Sequence, residues 1–324
     1  MKPFLLAGLF LYCSIARAQV FKTQNFEVHQ LSKNVYAAIA LPGGNAACNA
    51  GIVDMGDGVL VIDPFLTPAA AEDLKIFIST KLRKPVKWVV NSHAHNDHIR
   101  GNQVFASATI ISTAINKQLI ETTEPKEIAA EKQFVPGRVK YYAALPASKD
   151  KWQAEEDVIW KAYFGGIADS HATLVTTPPN LTFSDSLTLY GKGIEVKLIS
   201  YGDGHSASDL FVYLPQERIV FTGDLLFVNF HPYVGESKLE NWEAYLRKMK
   251  LIAADVFIPG HGPAGDKSSI DKELDYFTAL RSSADILRGI SGLKEQQINE
   301  QMPEQYRGLH LRNFYAMNIQ HLLK

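Results

Sequence analysis

Three imidazoles and a carboxylate fall within six residues in Asn91-Ser92-His93-Ala94-His95-Asn96-Asp97-His98. Imidazole nitrogen and carboxylate oxygen, at tetrahedral or slightly larger coordination, suit Zn²⁺. Residues two apart in an extended stretch point the same way, so His93 and His95 can chelate one ion. The turn that follows can present Asp97 and His98 to a second ion nearby. At the chain's own histidine frequency of 10 in 324, this pattern arises by accident in roughly one chain in two thousand. The cluster is therefore read as a metal site and not as a set of packing histidines.

Such side chains need a rigid platform. Val86 to Val90, directly upstream, is a short and nearly all-apolar run, as expected of a strand covered on both faces. Before it, Val53 to Asp63 places an Asp-Gly turn between β-branched runs and predicts a hairpin. Thr67-Pro68 supplies an N-cap and a first-turn proline, followed by Leu74, Phe77, Ile78 and Leu82 at helical spacing. This β-α-β order marks a layered α/β domain, in which chemistry gathers at the carboxyl ends of strands. From about 113 to 179 the texture changes to helical stretches, Ile115 to Phe134 and Trp152 to Tyr163. Its aromatics, among them Phe134, Tyr141, Tyr142, Trp152, Trp160, Tyr163 and Phe164, are read as packing the insertion down, with pocket lining as the alternative. Strands return from Leu181 to Asp224, with hairpins at Leu187–Leu198 and at Leu210–Thr222. A helix over Asn241–Leu251, a short strand at Val256–Ile258 and a helical tail after Pro263 complete the pattern.

The His-x-His-x-Asp-His pattern after a strand resembles the signature of the metallo-β-lactamase superfamily of hydrolases. Gly204-His205-Ser206-Ala207-Ser208-Asp209 resembles the segment carrying that family's third first-site histidine. Phe221-Thr222-Gly223-Asp224 resembles the motif whose Asp bridges both metals. Ile258-Pro259-Gly260-His261-Gly262 resembles the segment with the last ligand of the second site. The likeness runs from roughly Phe26 to Pro263 and weakens in the insertion and beyond Pro263. It implies an α/β fold, a four-layer αβ/βα sandwich of two strand-rich halves. To this core it adds a helical insertion (about 113–179) and C-terminal helices (264–324).

Carried over position by position, the resemblance assigns His93, His95 and His205 to one Zn²⁺. Asp97, His98 and His261 go to a second, with Asp224 between the two. Two such ions bring hydroxide within reach of neutral pH, for attack on a polarised carbonyl carbon. Asp97 would both ligate and orient that nucleophile. Asp209 is expected to support a ligand histidine from behind, and Asn229 and Tyr233 to contact substrate. The remaining histidines, His231 included, are read as surface or packing residues. β-Lactamases of the superfamily usually carry Cys or Ser at the position of Asp224; an Asp there is more typical of lactonases, thioesterases and nucleases. The reading is a hydrolase of small esters, lactones or amides. β-Lactam hydrolysis, a mononuclear iron enzyme resembling persulfide dioxygenases and a non-catalytic binding protein are the alternatives.

Composition narrows the setting. Lys+Arg total 33 against Asp+Glu 34, a formal charge of −1, so a sequence-wide basic field for nucleic acid is missing. The partner expected is a small-molecule substrate; the sequence does not give the oligomeric state. Met1-Lys2, an apolar run to about Ala16 and the small-x-small triplet Ala16-Arg17-Ala18 read as a signal peptide over 1–18. The expected mature domain, 19–324, is periplasmic or secreted and free of the membrane after cleavage. Cys13 would leave with the signal; Tyr12 before it argues against a lipoprotein site. Cys48 is then the single mature cysteine, so no internal disulfide forms, and it is read as a small buried apolar residue.

Overall fold

The computed structural model describes residues 19–290 and 292–324. The expected signal peptide, with Cys13, lies outside them. Among the described residues, thirteen strands form two sheets. The first holds β1 (Gln19–Lys22), β2 (Phe26–Gln30), β3 (Val35–Ala40), β4 (Ala50–Asp54), β5 (Val59–Ile62), β6 (Val86–Val90), β7 (Thr109–Thr113) and β8 (Leu181–Phe183), in sequence order. The second holds β9 (Ser186–Gly191), β10 (Ile194–Gly202), β11 (Asp209–Leu214), β12 (Ile219–Phe227) and β13 (Val256–His261), ordered β13-β12-β11-β10-β9. The strands β5 to β8 run parallel, as do β12 and β13; the other pairings are antiparallel.

The alternation of side chains along the strands builds the layers. In β5, Leu60 and Ile62 face the second sheet, while Val59 and Val61 face the helix α1 (Pro68–Phe77). In β11 and β12, Val212, Leu214, Ile219 and Phe221 join the inter-sheet core, while Phe211 and Val220 point to the outer helices. Three successive apolar layers therefore separate helix, sheet, sheet and helix, the four-layer sandwich the resemblance implies. Thr67 caps α1 as expected, its hydroxyl accepting from Ala70 N at 3.2 Å. A short helix α2 (Asn96–Ile99) follows β6.

Two helical expectations shift. The run read as one helix over Ile115–Phe134 is divided into α3 (Ala114–Thr122) and α4 (Glu124–Ala144), Pro125 opening the second. α4 then passes through Pro136, which cannot donate to the carbonyl of Lys132; Lys132 is exposed, so water can take that donor's place. α5 (Lys151–Ser170) completes the insertion. In the second half, β12 continues beyond Thr222 through Asp224 to Phe227, all nine residues buried. The outer face carries α6 (Leu239–Lys250) and α7 (Lys267–Leu287), then α8 (Glu295–Glu300) and α9 (Asn313–Leu322). Trp242, Tyr245, Tyr315 and Phe277 are among their largest buried anchors. Among the described residues no helix is long and apolar enough to cross a membrane.

Candidate metal centre

The parallel strands β5 and β6 end side by side, Ile62 opposite Val90, and deliver Asp63 and the 91–98 segment to one sheet edge. The loop between β10 and β11 brings His205. Asp224 lies within β12, past an irregularity in its pairing with β13, and His261 is the last residue of β13. Glycines admit this convergence. A Cβ on Gly260 would sit 1.8 Å from Asp224 Oδ1, and Gly223, at φ 54°, would press one 2.4 Å from Ser92 Oγ.

All seven expected ligands come together. His93, His95, His205 and Asp224 form one set of donor atoms within 4.8 Å of one another; Asp97, His98 and His261 form a second. Asp224 touches both. Its Oδ2 is 3.5 Å from His205 Nε2 and 3.4 Å from His261 Nε2, and its Oδ1 is 3.1 Å from His98 Nε2. Asp97 Oδ2 stands 3.4 Å from His261 Nε2 and 3.6 Å from His98 Nε2. His93 Nε2, His98 Nε2 and Asp224 Oδ1 are buried, and none meets a partner in hydrogen-bond geometry, the 3.1 Å approach of His98 to Asp224 included. Orphaned acceptors converging in this way are costly unless a cation gathers them, so the donor set fits a pair of metal ions.

Charge differs among the donors: burial pulls the His95 pKa down, yet Glu236 beside it prevails and raises it. Burial holds His93 well below its usual pKa and His205 at about 3, so both present free lone pairs. At His261 burial pulls downward, but Asp224 and Asp97 prevail and lift it to about 9. Burial likewise opposes ionisation of Asp97, yet His98 and His261 bring it down to about 2. The second set thus calls for positive charge, which a divalent cation supplies.

Residues the sequence reading passed over hold these ligands. Asp63 accepts from Ser92 N at 2.7 Å and from Ser92 Oγ at 2.6 Å. It also contacts His98 Nδ1 at 3.0 Å. Ser92 Oγ in turn meets His93 Nδ1 at 2.9 Å. One carboxylate thereby fixes which nitrogen two histidines offer, one in each set. Its signal was an acidic residue closing an all-apolar strand, beside the strand that feeds the histidines. Glu236 Oε2 lies 3.3 Å from His95 Nε2, leaving Nδ1 toward His205 Nε2 at 3.1 Å. Nothing in local spacing marked Glu236. Asn49 donates to Pro259 O and Gly262 O at 2.9 and 2.7 Å, tying the first half to the loop bearing His261.

Other expectations fall differently. Asp209 accepts from Ser206 N and Ser206 Oγ, both at 2.9 Å, so it shapes the loop next to His205 and bonds no ligand imidazole. Burial raises its pKa to about 6. Tyr233 lines the cavity over the metal residues, its ring 6.5 Å from that of His95. Asn229, expected at substrate, is exposed outside the cavity lining; a turn at φ 64° gives its carbonyl to His310 N at 2.9 Å. That turn presents Phe230 and Tyr233 instead. His231 is a packing residue, its Nδ1 2.8 Å from Tyr276 Oη. Cys48 is buried, donates to the Asp97 carbonyl at 2.9 Å and has its thiol pushed up to about 12, as suits an unreactive residue. The insertion's aromatics do more than pack: Phe134, Trp160, Tyr163 and Phe164 line the cavity of about 620 Å³ above the metal residues.

The Metallo-beta-lactamase superfamily matches residues 43–261. A "Metallo-beta-lactamase type 2" of Bacteroides fragilis is 24% identical over 276 residues, 82% of this chain and 91% of that protein. A "Linear primary-alkylsulfatase" of Pseudomonas sp. (strain ATCC 19151) is 21% identical over 230 residues, 69% of this chain. The matched part spans only 43% of the alkylsulfatase's length. Among solved structures, "Metallo-beta-lactamase from Pontibacter korlensis" superposes with TM-score 0.58 at 20% identity, covering 78% of this chain and 99% of the other, a likeness of fold. With the family matched from ahead of β4 to the end of β13 and across every segment that supplies the cluster, the chain belongs to the metallo-beta-lactamase superfamily of metal-dependent hydrolases.

Proposed function

We propose that this protein is an exported hydrolase using two Zn²⁺ ions per chain to open the acyl bond of a small ester, lactone or amide. The observation that carries this reading is Asp224, whose two oxygens face both donor sets at the floor of an apolar cavity. Zinc in such a pair supplies Lewis acidity toward an acyl oxygen and brings the ionisation of water toward neutral pH. His93, His95 and His205 would hold one ion; Asp97, His98 and His261 the other. Asp97 lines the cavity and stays ionised, so its carboxylate can orient an attacking water and accept its proton. Burial keeps the Tyr233 phenol protonated, and it is a donor available to substrate oxygen. The aromatic lining excludes water once substrate enters. Export is proposed from the leader sequence alone.

A second reading, β-lactam hydrolysis, is favoured by the Bacteroides fragilis relative, which this chain covers over 91% of its length. Asp224 in the place of the usual Cys or Ser weighs against it. The test is a panel of esters, lactones, thioesters, β-lactams, alkyl sulfates and phosphodiesters on zinc-loaded protein lacking residues 1–18, with a metal count. Ester or lactone turnover that disappears in His95→Ala, with two zincs per chain, supports the proposal. Turnover confined to β-lactams, sulfates or phosphodiesters, or activity unchanged in His95→Ala, rejects it.

A further inference from the structure

The cavity above the metal residues is unequal in its two parts. Its floor is polar and carries the donor sets; its far wall is built by the insertion and the C-terminal segment from large side chains that remain partly exposed. Trp160 and Phe164 stack at 5.8 Å and 25°. Phe314 closes edge-on against Trp160 at 6.0 Å and packs on Tyr233 at 5.4 Å, linking that wall to the metal side. Phe134 stays 48% exposed although its ring meets Phe164 at 6.5 Å. Partly exposed aromatics in a concavity beside a reactive centre are apolar surface awaiting a ligand.

Charge defines what that ligand lacks. Besides the two Asp of the metal sets, Glu127, Glu131 and Glu236 line the cavity. Among the described lining residues the only Lys or Arg is Arg138, on the rim with its guanidinium 5.9 Å from the Phe164 ring centre. Glu131 is paired with Arg100 and Glu236 with His95, so an anion lying along this wall would meet aromatic faces and Glu127, with Arg138 as the one lining Lys or Arg among the described residues.

We propose that the group held along the Phe134, Trp160, Phe164 and Phe314 wall is a neutral apolar tail, an alkyl or aryl chain. This rests on the ester and lactone reading only for the identity of the head that reacts; the tail is assigned from the wall itself. Each methylene buried there raises kcat/KM about fourfold until the wall is covered.

The test uses zinc-loaded protein and p-nitrophenyl esters from acetate to octanoate, together with the octanoate analogue bearing a far-end carboxylate. Octan-1-ol binding, read by Trp160 fluorescence against a Trp160→Phe control, reports the same wall without turnover. The expected results are an octanoate-to-acetate ratio in kcat/KM of a hundredfold or more and a carboxylate-capped ester at least tenfold poorer than octanoate. Phe164→Ala and Trp160→Ala should each cut that ratio tenfold, and Phe164→Ala should weaken octan-1-ol binding to match. Equal kcat/KM from acetate to octanoate, or a carboxylate-capped ester as good as octanoate, overturns the tail assignment while leaving hydrolysis standing. If no ester or lactone reacts but octan-1-ol still binds in a Phe164-dependent way, hydrolysis falls and the tail site stands. No perturbation by octan-1-ol overturns it in either case.

Discussion

The floor of the cavity and its far wall are built on opposite principles. On the floor His93 and His98 are 0% exposed and Asp224 5%; they are carried by the segment that follows β6 and by β12, strands anchored in the inter-sheet core. The wall comes from α4, α5 and α9, and α4 buries only Glu124, Glu131 and Val135 of its 21 residues. Two of those three are carboxylates, and they clasp the buried Arg100, with Glu124 Oε1 2.7 Å from Nε and Glu131 Oε2 2.9 Å from Nη2. Glu131 also accepts from Asn96 at 3.2 Å, next to the ligands His95 and Asp97. The floor is held by the fold; the wall is tied to it by a few charges and by the small core of Leu66, Val135 and Ile167. Reactivity should therefore be rigid and shared by all substrates, while selection can vary without disturbing the chemistry.

Changes to the floor should act on every substrate alike. Asp224→Asn removes the carboxylate common to both donor sets, and activity should drop by well over the roughly 100-fold that losing an outer partner costs. Metal analysis should find less than two zincs per chain; full loading with unchanged activity would show that Asp224 joins nothing. Asp63→Asn keeps the shape but gives up the charge facing His98, and through Ser92 the support of His93. Zinc affinity should fall roughly 10–100-fold, measured by chelator competition. An effect on one ion only would separate the two sets.

Changes to the charges that tie the wall should do the reverse. Glu131→Ala leaves the buried Arg100 with one partner, and about 3 kcal/mol of stability should be lost, read by denaturant titration. Faster proteolytic cutting within 113–179, with zinc content retained, would place that loss in the wall. A further test lies just behind the floor, where Phe227 lines the cavity and stacks on His261. Burial raises the pKa of Glu273 well above the usual carboxylate value, while its Oε2 accepts from Phe227 N at 2.9 Å. Its folded pKa exceeds its unfolded one, so the folded chain binds more protons, and stability declines as pH rises above about 4.3. Glu273→Gln should raise Tm by roughly 2–4 °C at pH 8 and leave it nearly unchanged at pH 4. An equal shift at both values would mean packing, not charge, is responsible.

The same contrast governs how much the sequence disclosed. Ligands spaced by strand and turn geometry, His93 to His98, are local, and their order with His205, Asp224 and His261 is legible from motifs. The layers follow from alternation in runs such as Val59–Ile62. Asp63 and Glu236 act across long sequence separations, 35 residues from His98 and 141 from His95, and no periodicity records such meetings. Asn229 was misplaced because proximity in sequence to Asp224 does not survive a turn with positive φ. The aromatic wall was readable as composition but not as a surface. Whether Trp160 packs or faces a cavity depends on how α5 seats against α9, and no stripe along one helix specifies that.

Anomalous diffraction at the zinc edge from crystals of the loaded protein asks the decisive question. Two peaks roughly 3.5–4 Å apart should appear. One should lie among His93, His95 and His205, the other among Asp97, His98 and His261, with an oxygen of Asp224 reaching each. A solitary peak, or density that Asp224 does not touch, would mean that these seven side chains are not a paired-metal centre.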